Sequence, residues 1–184
     1  AYYFLLNHGF RNDGSLSLVM RLEFEDYPDR PEVDRFIEEN RSRGIRFGLC
    51  TEEHREALCR FMEEIFPGGW EASVKRNLEG DPPYPVLVAT DGPKVVGFTG
   101  PISVREGGGG GFSGIGTRPE CRRHKIATVL FHLLCTEFKN RGARYSVLHT
   151  GLRNPAQEIY FGAGYKVLHL VDYCLVKRLA PKGS

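Results

Sequence analysis

From Ile45 onward the chain alternates between two kinds of hydrophobic spacing, and no other feature limits its fold as strongly. Short apolar runs read as strands, and apolar residues three and four apart read as helices. Ile45 to Leu49 is a short strand. Thr51 is a good N-cap with Glu52 and Glu53 behind it, and Leu58, Phe61, Met62 and Ile65 form the stripe of the helix that Pro67-Gly68-Gly69 ends. Residues 71–79 suit a second short helix. Val86 to Ala89 and Val95 to Val104 read as strands joined across Thr90-Asp91-Gly92-Pro93, a hairpin signal. Gly107 to Gly111 read as a flexible loop, and no Gly-Lys-Ser/Thr follows to make it a Walker loop. Phe112 to Gly116 is a strand. A long helix follows, with Ile126, Val129, Leu130, Leu133, Leu134 and Phe138 at helical spacing and Gly142 at its end. Tyr145 to His149 is a strand, Asn154 to Phe161 a helix closed by Gly162 and Gly164, and Tyr173 to Leu179 the last strand. Strands alternating with helices imply an α/β fold, a mixed sheet with helices on both faces.

Residues 1–43 read differently. Leu16, Leu18, Met20, Leu22 and Phe24 alternate with polar residues, a half-buried strand that Asp26-Tyr27-Pro28-Asp29 breaks. Val33, Phe36 and Ile37 then share a helical face, with Pro31 near the start and Gly44 past the end. The opening also matches a later stretch. Residues 1–10 and 156–165 each begin a short helix and end at Gly-aromatic, Gly9-Phe10 and Gly164-Tyr165. With a two-residue gap, Val19-Met20-Arg21-Leu22 matches Val176-Lys177-Arg178-Leu179. This is expected if residues 1–43 are the tail of a preceding copy of the same domain plus a linker helix, with the domain itself at 44–180.

Charge and cysteines narrow the function. Lys and Arg total 25 against 23 Asp and Glu, a net charge of +2, so nothing global points to nucleic acid, and any anion site must be local. No apolar run is long enough for a membrane span, and the N-terminus lacks the pattern of a signal peptide. Five scattered cysteines without a CxxC argue against a disulfide framework or a zinc site, and the spacing of His54, His132 and His169 suggests no metal. A reduced, cytoplasmic setting is expected.

Three features carry chemistry, in order: the strand Phe112–Thr117 followed by Arg118-Pro119; Arg122-Arg123-His124-Lys125-Ile126-Ala127 opening the long helix; and Asn154, then Tyr160, then Gly164-Tyr165. Unpaired N–H groups and the dipole make a helix start an anion site. Cations there are unfavourable unless an anion is bound. Arg122, Arg123 and Lys125 therefore suggest phosphate binding, and the basic cluster also includes Arg118 and His124.

Over roughly residues 45–180, with these three features in this order, the sequence resembles the GNAT acyltransferase superfamily. The family's phosphate motif is Arg/Gln-x-x-Gly-x-Gly/Ala; Arg122 and Ala127 match its ends, and Lys125 stands where the first glycine belongs. The resemblance implies a mixed, mostly antiparallel central sheet flanked by helices. It implies acetyl-CoA as the coenzyme A thioester, held by Arg122, Arg123, His124, Lys125, Ile126, Ala127 and Thr128. The pyrophosphate would sit on the backbone N–H groups, with the Lys125 side chain turned away. The strand before the phosphate loop would splay from the next, so that the backbone of Ile115, Gly116 and Thr117 bonds the pantetheine arm, and Asn154 would help orient the cofactor. Tyr160 matches the tyrosine that protonates the departing thiolate in many members. The implied reaction is direct attack by an amine of a small molecule or peptide. Phe112 to Thr117 has no carboxylate to serve as base, so His149 is the substitute, with Glu71 and Glu106 as weaker candidates. Trp70 and Phe66 read as core or lid packing, or as the lining of an acceptor pocket. The acceptor side would come from residues near 66–80 and the glycine run. Partners would be the amine acceptor and a preceding GNAT copy or a homodimer. The competing reading, motivated by Lys125 and the missing carboxylate, is a non-catalytic module that binds a coenzyme A species or packs on a partner domain.

Overall fold

The computed structural model describes residues 2–12, 16–172 and 175–177. Helix α1 (Tyr2–Asn7) and strand β1 (Arg11–Asn12) open the chain, followed by β2 (Leu16–Glu23) and α2 (Pro31–Arg41). Proline suits the first turn of α2, where its missing N–H has no helical partner to lose, and Glu32 and Asp34 in that turn and Arg41 in the last suit the helix dipole. Then come β3 (Ile45–Leu49), α3 (Arg55–Ile65), α4 (Gly69–Leu78), β4 (Leu87–Asp91) and β5 (Lys94–Gly100). The chain continues through β6 (Ser103–Val104), β7 (Gly109–Gly111), β8 (Gly114–Thr117), α5 (Ile126–Asn140) and β9 (Tyr145–Gly151). It ends with α6 (Gln157–Gly162), β10 (Lys166–Asp172) and β11 (Leu175–Val176).

These strands form two main sheets. One runs β3-β4-β5-β8 and the other β10-β2-β9-β7-β6, while β1 and β11 pair separately. Among the described residues every pairing is antiparallel except β7 with β9. The apolar strands β4 and β5 are buried on both faces. Val88 and Phe98 face Leu58, Phe61 and Met62 of α3 and Val74 of α4. Leu87, Ala89 and Val96 belong to the other core, with Ile126, Leu130, Leu134 and Phe138 of α5. Gly97 lets α5 approach closely, because a Cβ there would lie 3.1 Å from Leu130 and 3.2 Å from Ile126. The mixed, mostly antiparallel sheet with helices on both faces matches the sequence expectation.

Several expectations change. The glycine run is not a flexible loop: Gly109 to Gly111 form strand β7, between β6 and β9. Neighbours press on the backbone at two of them; a Cβ at Gly110 would lie 2.8 Å from the Phe138 ring, and one at Gly109 3.2 Å from Tyr145. The strand expected over Val95 to Val104 is two, separated at Gly100, whose φ of 130° leaves the extended region. The sequence reading did not anticipate β10, which lies at the edge of its sheet with Val167, Leu168 and Leu170 exposed. Of the last strand expected at Tyr173–Leu179, Leu175 and Val176 pair with β1; residues 173–174 and 178–179, with Cys174, lie outside the described residues. Strand β2, from the stretch assigned to a preceding copy, lies between β9 and β10 and pairs with both.

Candidate active site

The site is built where one strand run changes partners. Gly109 and Gly110 pair in parallel with Tyr145 and Ser146 of β9. After Phe112 and Ser113 the run continues as β8, which pairs with β5 alone among the described residues. The chain therefore leaves β9 at Phe112–Ser113, and a gap opens between β8 and β9. This is the splay that the resemblance implied. It leaves one backbone edge of β8, including Ile115, Gly116 and Thr117, without a strand partner. The other edge of β8 is paired with β5, and one face is tightly covered, since a Cβ on Gly116 would lie 2.2 Å from Phe66 Cζ and one on Gly114 2.7 Å from the Trp70 ring. Phe66 and Trp70 thus pack on the strand, with ring centroids 5.4 Å apart.

A cleft of about 270 Å³ occupies the mouth of the gap, lined by Trp70, Ile115, His149 and Tyr160 among others. The two predicted catalytic residues are therefore brought together, from β9 and α6. Tyr160 is 6% exposed, and its ring packs 5.0 Å from that of Phe131. Burial raises its pKa, which keeps the phenol protonated well into alkaline solution. A larger cleft of about 900 Å³ adjoins, sharing Phe112, Ser113 and Val147 with the first. Its walls include Arg76 and Tyr84 on one side and Arg105, Glu106 and β7 on the other. Glu71, a weaker base candidate, is engaged elsewhere: it accepts from Lys75 Nζ at 2.7 Å and from the Gly68 N–H at 3.2 Å. The lysine bond is the main cause that lowers its pKa.

At the far end of β8 lies the basic loop. Arg123 and Lys125 take left-handed backbone conformations, with φ of 67° and 59°. Lys125 keeps the conformation that glycine adopts easily and a lysine adopts at a cost of about 1 kcal/mol. Its ammonium lies 5.9 Å from the Phe36 ring centroid on α2, so the side chain reaches toward that helix. The first backbone bond of α5 runs from Val129 N–H to the Lys125 carbonyl, at 3.0 Å. The N–H groups of Ile126, Ala127 and Thr128 precede it and point out of the helix end, with no side-chain cap. Arg122, Arg123 and Lys125 are exposed, and His124 is half-buried.

Two residues make contacts that the sequence did not suggest. Arg118 leaves the basic cluster, because it is buried and donates to the Val95 carbonyl at 3.1 Å and to Glu64 at 2.7 Å. Asn154 is exposed, and its Oδ1 accepts the Ala156 N–H at 3.0 Å, capping the turn before α6; it lines neither cleft. One residue was missed. Asn40 is fully buried and donates from Nδ2 to the His124 carbonyl at 2.7 Å and to the Phe36 carbonyl at 2.8 Å. It ties α2 to the basic loop. Its signal was present, an amide four residues after Phe36 on the apolar face of that helix.

The profile of the acetyltransferase (GNAT) family matches residues 51–165, and the chain belongs to that family. No curated protein matches the sequence. Among solved structures, a glucosamine N-acetyltransferase region in a fungal multi-domain β-N-acetylglucosaminidase superposes with a TM-score of 0.73 at 19% identity, over 92% of this chain and 22% of that one. A GCN5-related N-acetyltransferase from Sphaerobacter thermophilus gives 0.67 at 23%, over 92% of this chain and 53% of that one. An aminoglycoside N-acetyltransferase in complex with CoA gives 0.57 at 19%, over 71% of this chain and 93% of that one. The chain thus spans about a fifth and about half of the first two. No described helix is long and apolar enough to cross a membrane.

Proposed function

We propose that this domain transfers an acetyl group from acetyl-CoA to the amine of a small molecule or peptide, by direct attack. One observation carries the reading. The gap between β8 and β9 opens at one end on Tyr160 and His149, and β8 leads at its other end to the uncapped start of α5. The residues fit a coenzyme A thioester in two respects. Outward N–H groups at Ile126–Thr128, flanked by Arg122 and Arg123, suit a pyrophosphate, and the unpaired edge of β8 suits the amides of a pantetheine arm. When bound, that group supplies an activated acyl carbonyl and a thiolate leaving group.

The chain's own residues supply the rest. Tyr160, held protonated by burial, can donate a proton to a thiolate. His149, on the facing strand, can accept one from an ammonium entering through the larger cleft. That cleft, with Arg76, Arg105 and Glu106 in its walls, suits a polar acceptor of moderate size. Two of the similar structures are named for glucosamine and aminoglycoside transfer, which favours a small amine over a peptide. Calorimetry with acetyl-CoA tests the first half of this reading, with binding expected for the native protein and strongly weakened by the Arg122→Ala/Arg123→Ala pair. No binding at millimolar acetyl-CoA would overturn it. Amine-dependent thiol release over a panel of aminosugars and peptides tests the second half; binding without release from any amine would favour a non-catalytic module.

A further inference from the structure

The chain contains the same helix–turn–strand unit twice, and the two units use each other's strands. At a constant offset of 155 residues, four backbone hydrogen bonds coincide. His8 N–H donates to the carbonyls of Phe4 and Leu5, as Ala163 N–H does to Ile159 and Tyr160. Gly9 N–H donates to Leu6 as Gly164 does to Phe161, and Phe10 N–H to Leu5 as Tyr165 does to Tyr160. Both glycines have positive φ, 80° and 93°. The following strands keep the offset in their pairing. Arg11 pairs with Val176 and Asn12 with Leu175, while Lys166 pairs with Arg21 and Val167 with Met20. Adding 155 to Arg11 gives Lys166, and adding 155 to Arg21 gives Val176. The pairing therefore equates the two units without the two-residue gap that the sequence match required.

The two pairs are reciprocal. The strand after α6 is completed by β2, which follows α1, and the strand after α1 is completed by β11, which follows α6. The surroundings of the two differ sharply. Strand β2 has β9 on its second edge, whereas β11 pairs with β1 alone among the described residues. Tyr160, Tyr165 and Met20 are all buried, at 6%, 2% and 0% exposure, but their counterparts Leu5, Phe10 and Leu175 are only half-buried. Phe4 is 61% exposed, while its counterpart Ile159 packs against the core. A two-stranded ribbon with an uncovered apolar face is at best marginally stable in water.

We infer that β11 and the unit Tyr2–Asn12 complete the sheet of a second GNAT-type domain placed before this one in the same polypeptide, with β11 inserted beside that domain's equivalent of β9. Each domain then carries a strand that follows the other's last helix. A second copy of this chain does not meet the requirement, because its own β9 is already paired with β2 on one edge and with β7 on the other. The inference rests on register and burial, and it stands whether or not the acetyl-transfer reading holds.

The first test is the reading frame upstream of Ala1. It is expected to encode a GNAT-type domain that supplies a strand equivalent to Tyr145–Gly151 and runs directly into Tyr2. An unrelated upstream sequence, or none, overturns the inference. The second test is amide hydrogen exchange on the long polypeptide and on the 184-residue chain alone. The amides of Leu175 and Val176 are expected to exchange at least about 100-fold more slowly in the long polypeptide, with those of β2 equally slow in both. Equal exchange at Leu175 and Val176 in the two samples overturns it. So does protection in the short chain that appears only as it dimerises, which would make the occupant a second copy.

Discussion

Replacing Asn40 with alanine separates a loop that is held in place from one that merely follows the sheet. Its side chain is fully buried and makes two hydrogen bonds, at 2.7 Å to the His124 carbonyl and 2.8 Å to the Phe36 carbonyl. A net hydrogen bond contributes about 1 kcal/mol, and a buried carbonyl stripped of its donor costs about 1–3 kcal/mol. Against this, Asn40 Oδ1 is itself buried without a partner among the described residues, so removing it relieves part of the loss. The balance is a destabilisation of about 2–3 kcal/mol, or roughly 5–10 °C in Tm for a domain of this size. The second consequence is specific. His124 belongs to the turn whose N–H groups face the expected phosphates, so freeing its carbonyl should weaken CoA binding by about 3–10-fold, or roughly 0.7–1.4 kcal/mol. Asn40→Asp should behave no better, since a carboxylate cannot donate to two carbonyls. Urea melts and CoA titrations at a temperature where both variants are folded give the two numbers. A stability change under about 0.5 kcal/mol, or unaltered CoA affinity in a clearly destabilised protein, would refute this account of how α2 acts on the loop.

Three further outcomes are expected. Gly116→Ala should destabilise by about 1–3 kcal/mol, because its Cβ would meet Phe66 Cζ at 2.2 Å; in a double-mutant cycle with Phe66→Ala the two losses should fall short of additive by about 1 kcal/mol, and strict additivity would contradict the contact. Tyr160→Phe should lower amine-dependent thiol release by about 10²-fold while CoA affinity stays within about twofold, and an unchanged rate would remove Tyr160 as the proton donor. Stability should hold from neutral pH to about pH 9 and then fall. Burial pushes Cys135 up to about 12 and raises Tyr160 and Tyr165, so the unfolded chain loses these protons first and the native state is disfavoured as pH climbs; denaturant melts at rising pH that stayed flat past about pH 10.5 would contradict this.

Much of this arrangement was legible in the residues. The stripe Ile126-Leu130-Leu134 announced α5 because a helix covering a sheet needs one continuous apolar face, and the alternation at Leu16–Leu22 announced β2 for the corresponding reason. Tyr160 and His149 could be named only through the family resemblance, and the fold brings them to one cleft. The glycine run misled, because glycine marks close backbone approach as well as freedom, and only the positions of Phe138 and Tyr145 separate the two. Arg118 misled for a related reason. Its neighbours in sequence are exposed cations, but its partner Glu64 is 54 residues away and drew it into the interior. The same distance effect hid the destination of β2, since its partners lie more than a hundred residues along the chain, and no local pattern says which strand pair will admit a third.

The central claim, that the gap between β8 and β9 and the start of α5 form one coenzyme A site, is tested most directly by a crystal structure with CoA bound. The account predicts density for the pyrophosphate against the N–H groups of Arg123 to Thr128. It also predicts the arm along the open edge of Ile115–Thr117, the sulfur near Tyr160, and the Lys125 ammonium still beside Phe36. Density for CoA anywhere else, or the Lys125 side chain filling the phosphate position, would contradict it.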